Sequence, residues 1–352
     1  MKSYPLVEVS GAPYECGKQY GESVATLIRQ NIVTYFGVIG YYTRLGKAQI
    51  LAKAMEFAED IEEYNPDLML ELRGLADGAQ VSLAEILMIN ARTELMSSVH
   101  IRRECTDFAL LPPQASAKMW LCQTWDWICP TLPVVLKIKQ ATKPTVITLV
   151  EAGQLGKMGF NETGLGLALN WLESSYKLIG VPVHIISRAV LNSSSVLEAV
   201  TAIYKPKRGA ACNYLLAHKD GFAIDFETTP DDVDYFEPEE GVLVHTNHFV
   251  SSRLRECDHG VILNGDSFTR LQRARRLILE NMGRHDFDTI VRIQRDHVFS
   301  PFSICTHPIP SDPEYAQWTT LAGLIIDLEN LQLHLACGNP CVSDYGTIKL
   351  GR

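Results

Sequence analysis

An α+β layered fold is what this sequence predicts, and three observations carry the expectation. The first hundred residues read as helical. After Cys105 the texture turns to short strand-like runs, and later strands come in pairs separated by pairs of helices. Alternating βαβ units would interleave single strands with single helices instead. No Gly-rich phosphate loop follows a strand, which weighs against nucleotide-binding folds.

Taken in order, Tyr20, Val24, Leu27, Ile28, Ile32 and Phe36 recur at spacings of three and four, one face of a helix from Gly17 to about Ile39. A second helix is expected from Lys47 to Tyr64, where Asn65-Pro66 stops it. A third is expected over Asp67 to Ala76, ending near Gly78. Ser82-Leu83-Ala84-Glu85 is a capping box, and it opens a fourth helix reaching about Leu95. Strands are then expected at Thr106–Leu111, Met119–Thr124 and Thr145–Glu151. Met158–Phe160 and Leu165–Asn170 flank the turn Asn161-Glu162-Thr163-Gly164. Helices return at Val183–Leu191 and Ser195–Tyr204, followed by strands at Asn213–His218, Phe222–Glu227 and Leu243–Asn247. Ser267–Met282 and Asp288–Arg295 read as helices. Thr320–Leu328 and Leu331–Cys337 read as a hairpin across Glu329-Asn330.

With 46% apolar and 21% charged residues, the composition excludes a mainly disordered chain. The 32 basic and 41 acidic side chains give a net charge of −9, which disfavours nucleic-acid and anionic-membrane partners. The densest basic cluster, Arg270, Arg273, Arg275 and Arg276, alternates with Leu271, Ala274 and Leu277 and reads as a solvated helix face. No stretch approaches the ~18 apolar residues of a membrane span, and the opening Met1-Lys2-Ser3-Tyr4-Pro5 lacks a signal-like apolar core. Nine scattered cysteines are therefore expected as reduced thiols in the cytoplasm, most of them small buried hydrophobes. A homo-oligomer is compatible with all of this.

Three segments could carry chemistry. In Arg102-Arg103-Glu104-Cys105-Thr106-Asp107 a charged stretch runs into a cysteine at the mouth of a strand, a candidate nucleophile because thiolate is reactive even at low population. Gln123-Thr124-Trp125-Asp126-Trp127 sets a carboxylate between two indoles, where desolvation favours a cationic or N–H-bearing neighbour. In Val244-His245-Thr246-Asn247-His248 the two histidines fall on opposite faces of a strand, which argues against a shared metal. The Asn247 amide could instead donate to an oxyanion, and Asn170 could do so from an adjacent strand. A buried structural Cys105 and a capping Asp126 remain open on these residues alone.

Other pieces fall into a consistent order along the chain. They are Gly11-Ala12-Pro13 through Gly17 and Gly21, Gly74-Leu75-Ala76-Asp77-Gly78, Asn90-Ala91-Arg92-Thr93-Glu94, Glu104-Cys105-Thr106, Gln123–Trp127, Gly159–Gly164, His245–His248 and Pro301–Cys305. Together they resemble the acyl-CoA:6-aminopenicillanic acid acyltransferase-like family, the C45 autoproteolytic acyltransferases and hydrolases of the N-terminal nucleophile (Ntn) superfamily. The resemblance implies an αββα sandwich and self-cleavage between Glu104 and Cys105. The products would be an α-rich segment, residues 1–104, and an associated β chain, residues 105–352, folded together as one domain. It also implies that Cys105 is the nucleophile, that Asp126 orients or balances its α-amine, that Asn247 donates to the oxyanion, and that Asn170 is a second donor. Glu104, Thr106 and Asp107 would be the processing residues. Glu104 stands where the family usually has Gly, and Asp107 where it usually has Thr or Ser.

The expected substrate is a small-molecule amide or an acyl-CoA, the latter as substrate, with no cofactor and no metal. Two further readings stay open. One is a conventional Cys-His hydrolase pairing Cys305 or Cys105 with His245, His248 or His307. The other is an unprocessed binding protein of the same fold. A zinc site at Cys337 and Cys341 with His334 would have only one cysteine pair where structural zinc needs four ligands.

Overall fold

The computed structural model describes residues 3–97, 105–174, 179–260 and 265–351. The chain opens with a strand that the periodicity did not reveal, β1 (Leu6–Ser10), followed by the helix α1 (Pro13–Thr43). The expected second helix is two, α2 (Lys47–Met55) and α3 (Ala58–Tyr64). Between them the N–H groups of Glu56 and Phe57 bond three residues back, to Lys53 and Ala54, and the tightened turn interrupts the helix. Asn65 caps α4 (Pro66–Ala79) by accepting the Leu68 N–H at 3.2 Å. The capping box opens α5 (Leu83–Asn90): the Ser82 hydroxyl accepts the Glu85 N–H, and the Glu85 carboxylate accepts the Ser82 N–H at 2.8 Å. A break at Ala91 separates α5 from α6 (Arg92–Met96).

α1 and α4 cross with their backbones in contact. A Cβ added at Gly17 would lie 2.0 Å from the Glu71 carbonyl oxygen, and one at Gly74 would lie 2.0 Å from that of Tyr14. The Gly-x-x-x-Gly spacings of both helices are thus a steric requirement of this crossing.

After Cys105 come β2 (Thr106–Leu110), β3 (Trp120–Ile128), β4 (Pro133–Lys139), β5 (Val146–Glu151), β6 (Met158–Asn161) and β7 (Leu165–Trp171). Next are α7 (Val183–Leu191), α8 (Val196–Tyr204), β8 (Cys212–His218), β9 (Phe222–Thr228), β10 (Val233–Phe236) and β11 (Val242–His245). The chain ends with α9 (Gly265–Leu279), α10 (Phe287–Gln294), β12 (Trp318–Asp327), β13 (Gln332–Cys337) and β14 (Tyr345–Lys349). Among the described residues the strands form an eight-stranded sheet, β1-β4-β5-β6-β7-β8-β9-β10, and a six-stranded sheet, β11-β2-β3-β12-β13-β14.

The two sheets face each other and share the main core, to which β3, β7 and β8 contribute Trp125, Leu167 and Leu215. α7 packs on β6 and β7 of the larger sheet. On the outer face of the smaller sheet, Phe108, Trp120 and Ile325 meet Ala274 of α9 and Ile290 of α10 in a second core. The result is the expected α+β class in αββα layers. β1 pairs in parallel with β4, so the N-terminal segment supplies a strand to the larger sheet. No helix among the described residues is long and apolar enough to cross a membrane.

Candidate active site

Strand register builds the site. β11 pairs antiparallel with β2, His245 opposite Asp107. Running two residues beyond that pair sets Asn247 against Cys105. There the Cys105 N–H donates to Asn247 Oδ1 at 2.6 Å, and Asn247 Nδ2 donates to the Trp171 carbonyl at 3.0 Å. The Cys105 thiol lies 3.6 Å from the carbonyl oxygen of Asp126. Cys105, Asp126 and Asn247 are therefore brought together. Glu104 lies outside the described residues.

The sequence reading missed the residue that ties this group together. Arg270 on α9 is buried, not part of a solvated face. Its Nη1 donates to the Cys105 carbonyl at 2.6 Å and to Thr106 Oγ1 at 3.2 Å, its Nη2 donates to Asn247 Oδ1 at 3.1 Å, and its Nε donates to Asp266 at 3.2 Å. A signal was present in the sequence. Ser267, Arg270, Ala274 and Ile278 make one buried stripe at spacings of three and four, which separates Arg270 from its neighbours. Arg275 and Arg276 do face solvent, each paired with a glutamate, and Arg273 holds Asp296 at 2.6 Å.

Side-chain alternation divides the site into two faces. Trp125 and Trp127 line a cavity of about 20 Å³ beside Cys105, about the space of one water. Asp126, between them in sequence, is on the opposite face of β3, paired in register with Thr320. The indoles therefore do not enclose it as expected. Burial pushes its carboxyl up to about 7, opposed by the Thr320 and Thr306 hydroxyls and by Arg270. Burial likewise pushes the Cys105 thiol up to about 12, aided by the charge of Asp126 and opposed by Lys157 and Arg270.

The cavity carries buried charge. Arg92 and Lys157, both on its wall, bind Glu151 at 2.7 and 3.1 Å. Burial alone would raise the Glu151 carboxyl, but the two cations outweigh it and hold it at about 2. Burial lowers the Lys157 amine to about 8. The Arg92 guanidinium sits 3.6 Å above the Trp127 ring, and the Lys157 ammonium 3.9 Å from that of Trp125.

Asn170 and Asp107 belong to a second buried network, between the sheets. Asn170 Nδ2 donates to Asn213 Oδ1 at 3.1 Å, and the Asn213 amide donates to Asp225. His245 meets an acceptor at each ring nitrogen, Glu227 Oε1 at 2.7 Å and the Thr246 carbonyl at 2.8 Å, so both nitrogens carry hydrogen and the ring is an imidazolium. Burial opposes that charge, yet Asp225 and Glu227 raise the ring to about 10. Burial and Asp225 push the Asp107 carboxyl well above the usual carboxylate range. His245 is thus committed to Glu227, and His248 Nδ1 is 2.7 Å from the Ser267 hydroxyl.

His245→Gln should cost about 3–5 kcal/mol, the usual consequence of removing one partner from a buried ion pair. The pH dependence follows from the raised ring. Folded His245 holds its proton to about pH 10, whereas the unfolded ring releases it near ~6.5. Its stabilisation is complete below ~6.5 and fades as pH rises through the folded value. Urea midpoints measured between pH 6 and 10 should fall with pH in the wild type and flatten in His245→Gln.

The acyl-coenzyme A:6-aminopenicillanic acid acyl-transferase family model matches residues 114–341, well over half of the chain. The chain is similar to the acyl-coenzyme A:6-aminopenicillanic-acid-acyltransferase 40 kDa form of Emericella nidulans, 28% identical over 306 residues, 85% of this chain and 84% of that protein. Its fold is similar to that of penicillin V acylase from Agrobacterium tumefaciens, with a TM-score of 0.50 and 16% identity over 70% of this chain and 86% of that one. The αββα architecture is accordingly that of the Ntn hydrolases. With the matched span and these likenesses together, the chain belongs to the acyl-coenzyme A:6-aminopenicillanic acid acyl-transferase family.

Proposed function

We propose that this protein is a self-processing N-terminal-cysteine enzyme that takes an acyl group from a small-molecule amide or an acyl-CoA thioester onto Cys105. It then passes the group to water or to an amine. The observation that supports this most is the division of labour around Cys105: Asn247 and Arg270 hold its main chain, while its thiol borders the cavity.

In processing, the Cys105 sulfur attacks the carbonyl carbon of residue 104. The peptide C–N bond breaks, the nitrogen takes up a proton, and a thioester replaces the amide. Water hydrolyses that thioester, leaving residues 1–104 as an α chain held through β1 and β4. The new α-amine has an ordinary pKa of ~7.7–8.0, low enough to serve as base near neutrality. It takes the thiol proton, so nucleophile and base share one residue.

In turnover the thiolate adds to the substrate carbonyl, the departing amine or CoA thiol leaves with a proton, and an acyl-thioester remains. Asn247 has one N–H on the Trp171 carbonyl and a second to offer the oxyanion. Asp126 balances the α-ammonium. Asn170 acts through the inter-sheet network that backs β2, where Asp107 is its buried neighbour. Water, being abundant, is the default acceptor.

A trapping experiment tests the reading. The enzyme is mixed with acyl-amides and acyl-CoA esters, quenched in acid, and its Cys105 peptide is weighed. A hydroxylamine-labile acyl adduct on Cys105 is expected, and turnover that persists in Cys105→Ser with no adduct rejects it. Asp126→Asn should slow turnover by about 10²-fold or more, because the α-ammonium formed when the amine takes the thiol proton loses its counter-charge. In the wild type the turnover rate should fall as pH drops below about 7, where Asp126 gains its proton. Initial rates of acyl transfer from pH 5.5 to 8 measure both.

A further inference from the structure

We propose that His297, Cys305, His307 and Cys341 form a structural zinc site, separate from the acyl-transfer centre and independent of the functional reading above. The sequence expectation was no metal, and the set weighed for zinc was Cys337, Cys341 and His334. In the structure His334 is engaged elsewhere: its Nδ1 meets Thr347 Oγ1 at 2.9 Å and its ring packs on Phe287. Cys341 instead joins three residues from the segment between α10 and β12. All four ligand-type atoms lie within 4.8 Å of one another.

The three edges that meet at His307 Nε2 are close to those of a zinc tetrahedron. With Zn–S near ~2.3 Å and Zn–N near ~2.0–2.1 Å, tetrahedral edges are about 3.3 Å between two nitrogens and about 3.6 Å between nitrogen and sulfur. The His297 and His307 Nε2 atoms are 3.1 Å apart, and His307 Nε2 is 3.3 Å from Cys341 Sγ and 3.8 Å from Cys305 Sγ. One imidazole nitrogen therefore faces three donor atoms, and a single proton on it can satisfy only one of them. A cation at the centre satisfies all four. Two thiolates and two neutral imidazoles are a set that zinc accepts readily.

Outer contacts are also in place. Asn339 Nδ2 donates to the Thr306 carbonyl at 2.6 Å and lies 3.9 Å from Cys305 Sγ. The Cys305 N–H donates to the Asp296 carbonyl, and the Asp296 carboxylate is held by Arg273. The site would act by positioning. Thr306, between two ligands in sequence, gives its N–H to Thr320 Oγ1 at 2.8 Å and accepts the Thr320 N–H at 3.0 Å. Thr320 is the register partner of Asp126. The four-residue knot thus clamps the loops that brace β12 behind Asp126.

The test uses the full chain, purified under reducing conditions without chelator, with zinc measured by inductively coupled plasma mass spectrometry. About one zinc per chain is expected. Exchange into Co(II) should give tetrahedral d–d absorption with thiolate charge-transfer bands. Cys341→Ser and the exposed His297→Asn should each weaken Co(II) affinity by about 10²-fold or more. A zinc chelator should lower the wild-type melting temperature and leave that of Cys341→Ser unchanged. His297→Asn guards against misfolding, since it alters only an exposed side chain. Wild-type protein with titratable thiols that takes up no stoichiometric Zn(II) or Co(II) overturns the proposal. So does a Cys305–Cys341 disulfide as the resting state, seen in the intact mass of a second preparation purified without reductant.

Discussion

Cys105→Ala should run as one uncleaved 352-residue chain and lose acyl transfer by about 10⁶-fold, the scale seen when a nucleophile is removed from a covalent mechanism. The variant should still fold. The Cys105 N–H to Asn247 and the Arg270 bond to the Cys105 carbonyl are main-chain contacts that alanine retains. Its thermal midpoint should therefore stay within a few degrees of the wild type, because only a small side chain beside the cavity is trimmed. Cys105→Ser separates the two roles of the sulfur. A hydroxyl is a poorer nucleophile and a poorer leaving group, so processing should slow over hours rather than stop, and turnover should be lost with it. An intact chain that turns over normally would mean that neither role belongs to this residue.

Arg270→Met should lower turnover by about 10²–10³-fold, comparable to losing an oxyanion donor, and destabilise by about 3–5 kcal/mol. The two effects have separate causes. Stability falls because a buried cation is withdrawn from Asp266, which it meets at 3.2 Å. Turnover falls because one guanidinium spans the Cys105 carbonyl, Thr106 and Asn247 Oδ1, fixing where the nucleophile's main chain lies relative to the amide. Arg270→Lys discriminates between them. Lysine keeps the charge, but its single ammonium cannot reproduce a planar fork that reaches three acceptors. It should recover most of the stability and little of the kcat, with KM nearly unchanged. Recovery of both would mean that charge alone matters.

Much of the architecture was legible because its signals are local. The box at Ser82 and Glu85 and the break at Asn65-Pro66 depend on neighbouring residues, and both stand in the structure. The strands that escaped notice are of another kind. β10 and β14 are short and largely uncovered. β4, also missed, is buried along most of its length and shows no alternation. β1 alternates, but over only five residues, with its partner β4 more than a hundred residues away. β3 runs to Ile128, beyond the expected Thr124, because every residue in it is buried and continuous burial erases the alternation that would mark its length.

The same division holds at the site. Cys105, Asp126 and Asn247 stood out in their local segments and took their roles from the resemblance, and register then explains why two of them meet. Arg270 was read as surface because charge clusters on helices usually are. The stripe it shares with Ala274 and Ile278 acquires meaning only once α9 is seen lying on β2. The four residues of the proposed zinc knot span positions 297 to 341, and only the return of the chain after β13 brings Cys341 to the others.

The central claim is that the sulfur-bearing residue at 105 becomes the start of a new polypeptide. Edman sequencing of the purified wild-type protein, with the intact mass of each component, reads this directly. Two co-purifying chains of 104 and 248 residues, the larger beginning Cys-Thr-Asp-Phe, are the expected result. A homogeneous full-length chain that retains acyl-transfer activity would contradict it.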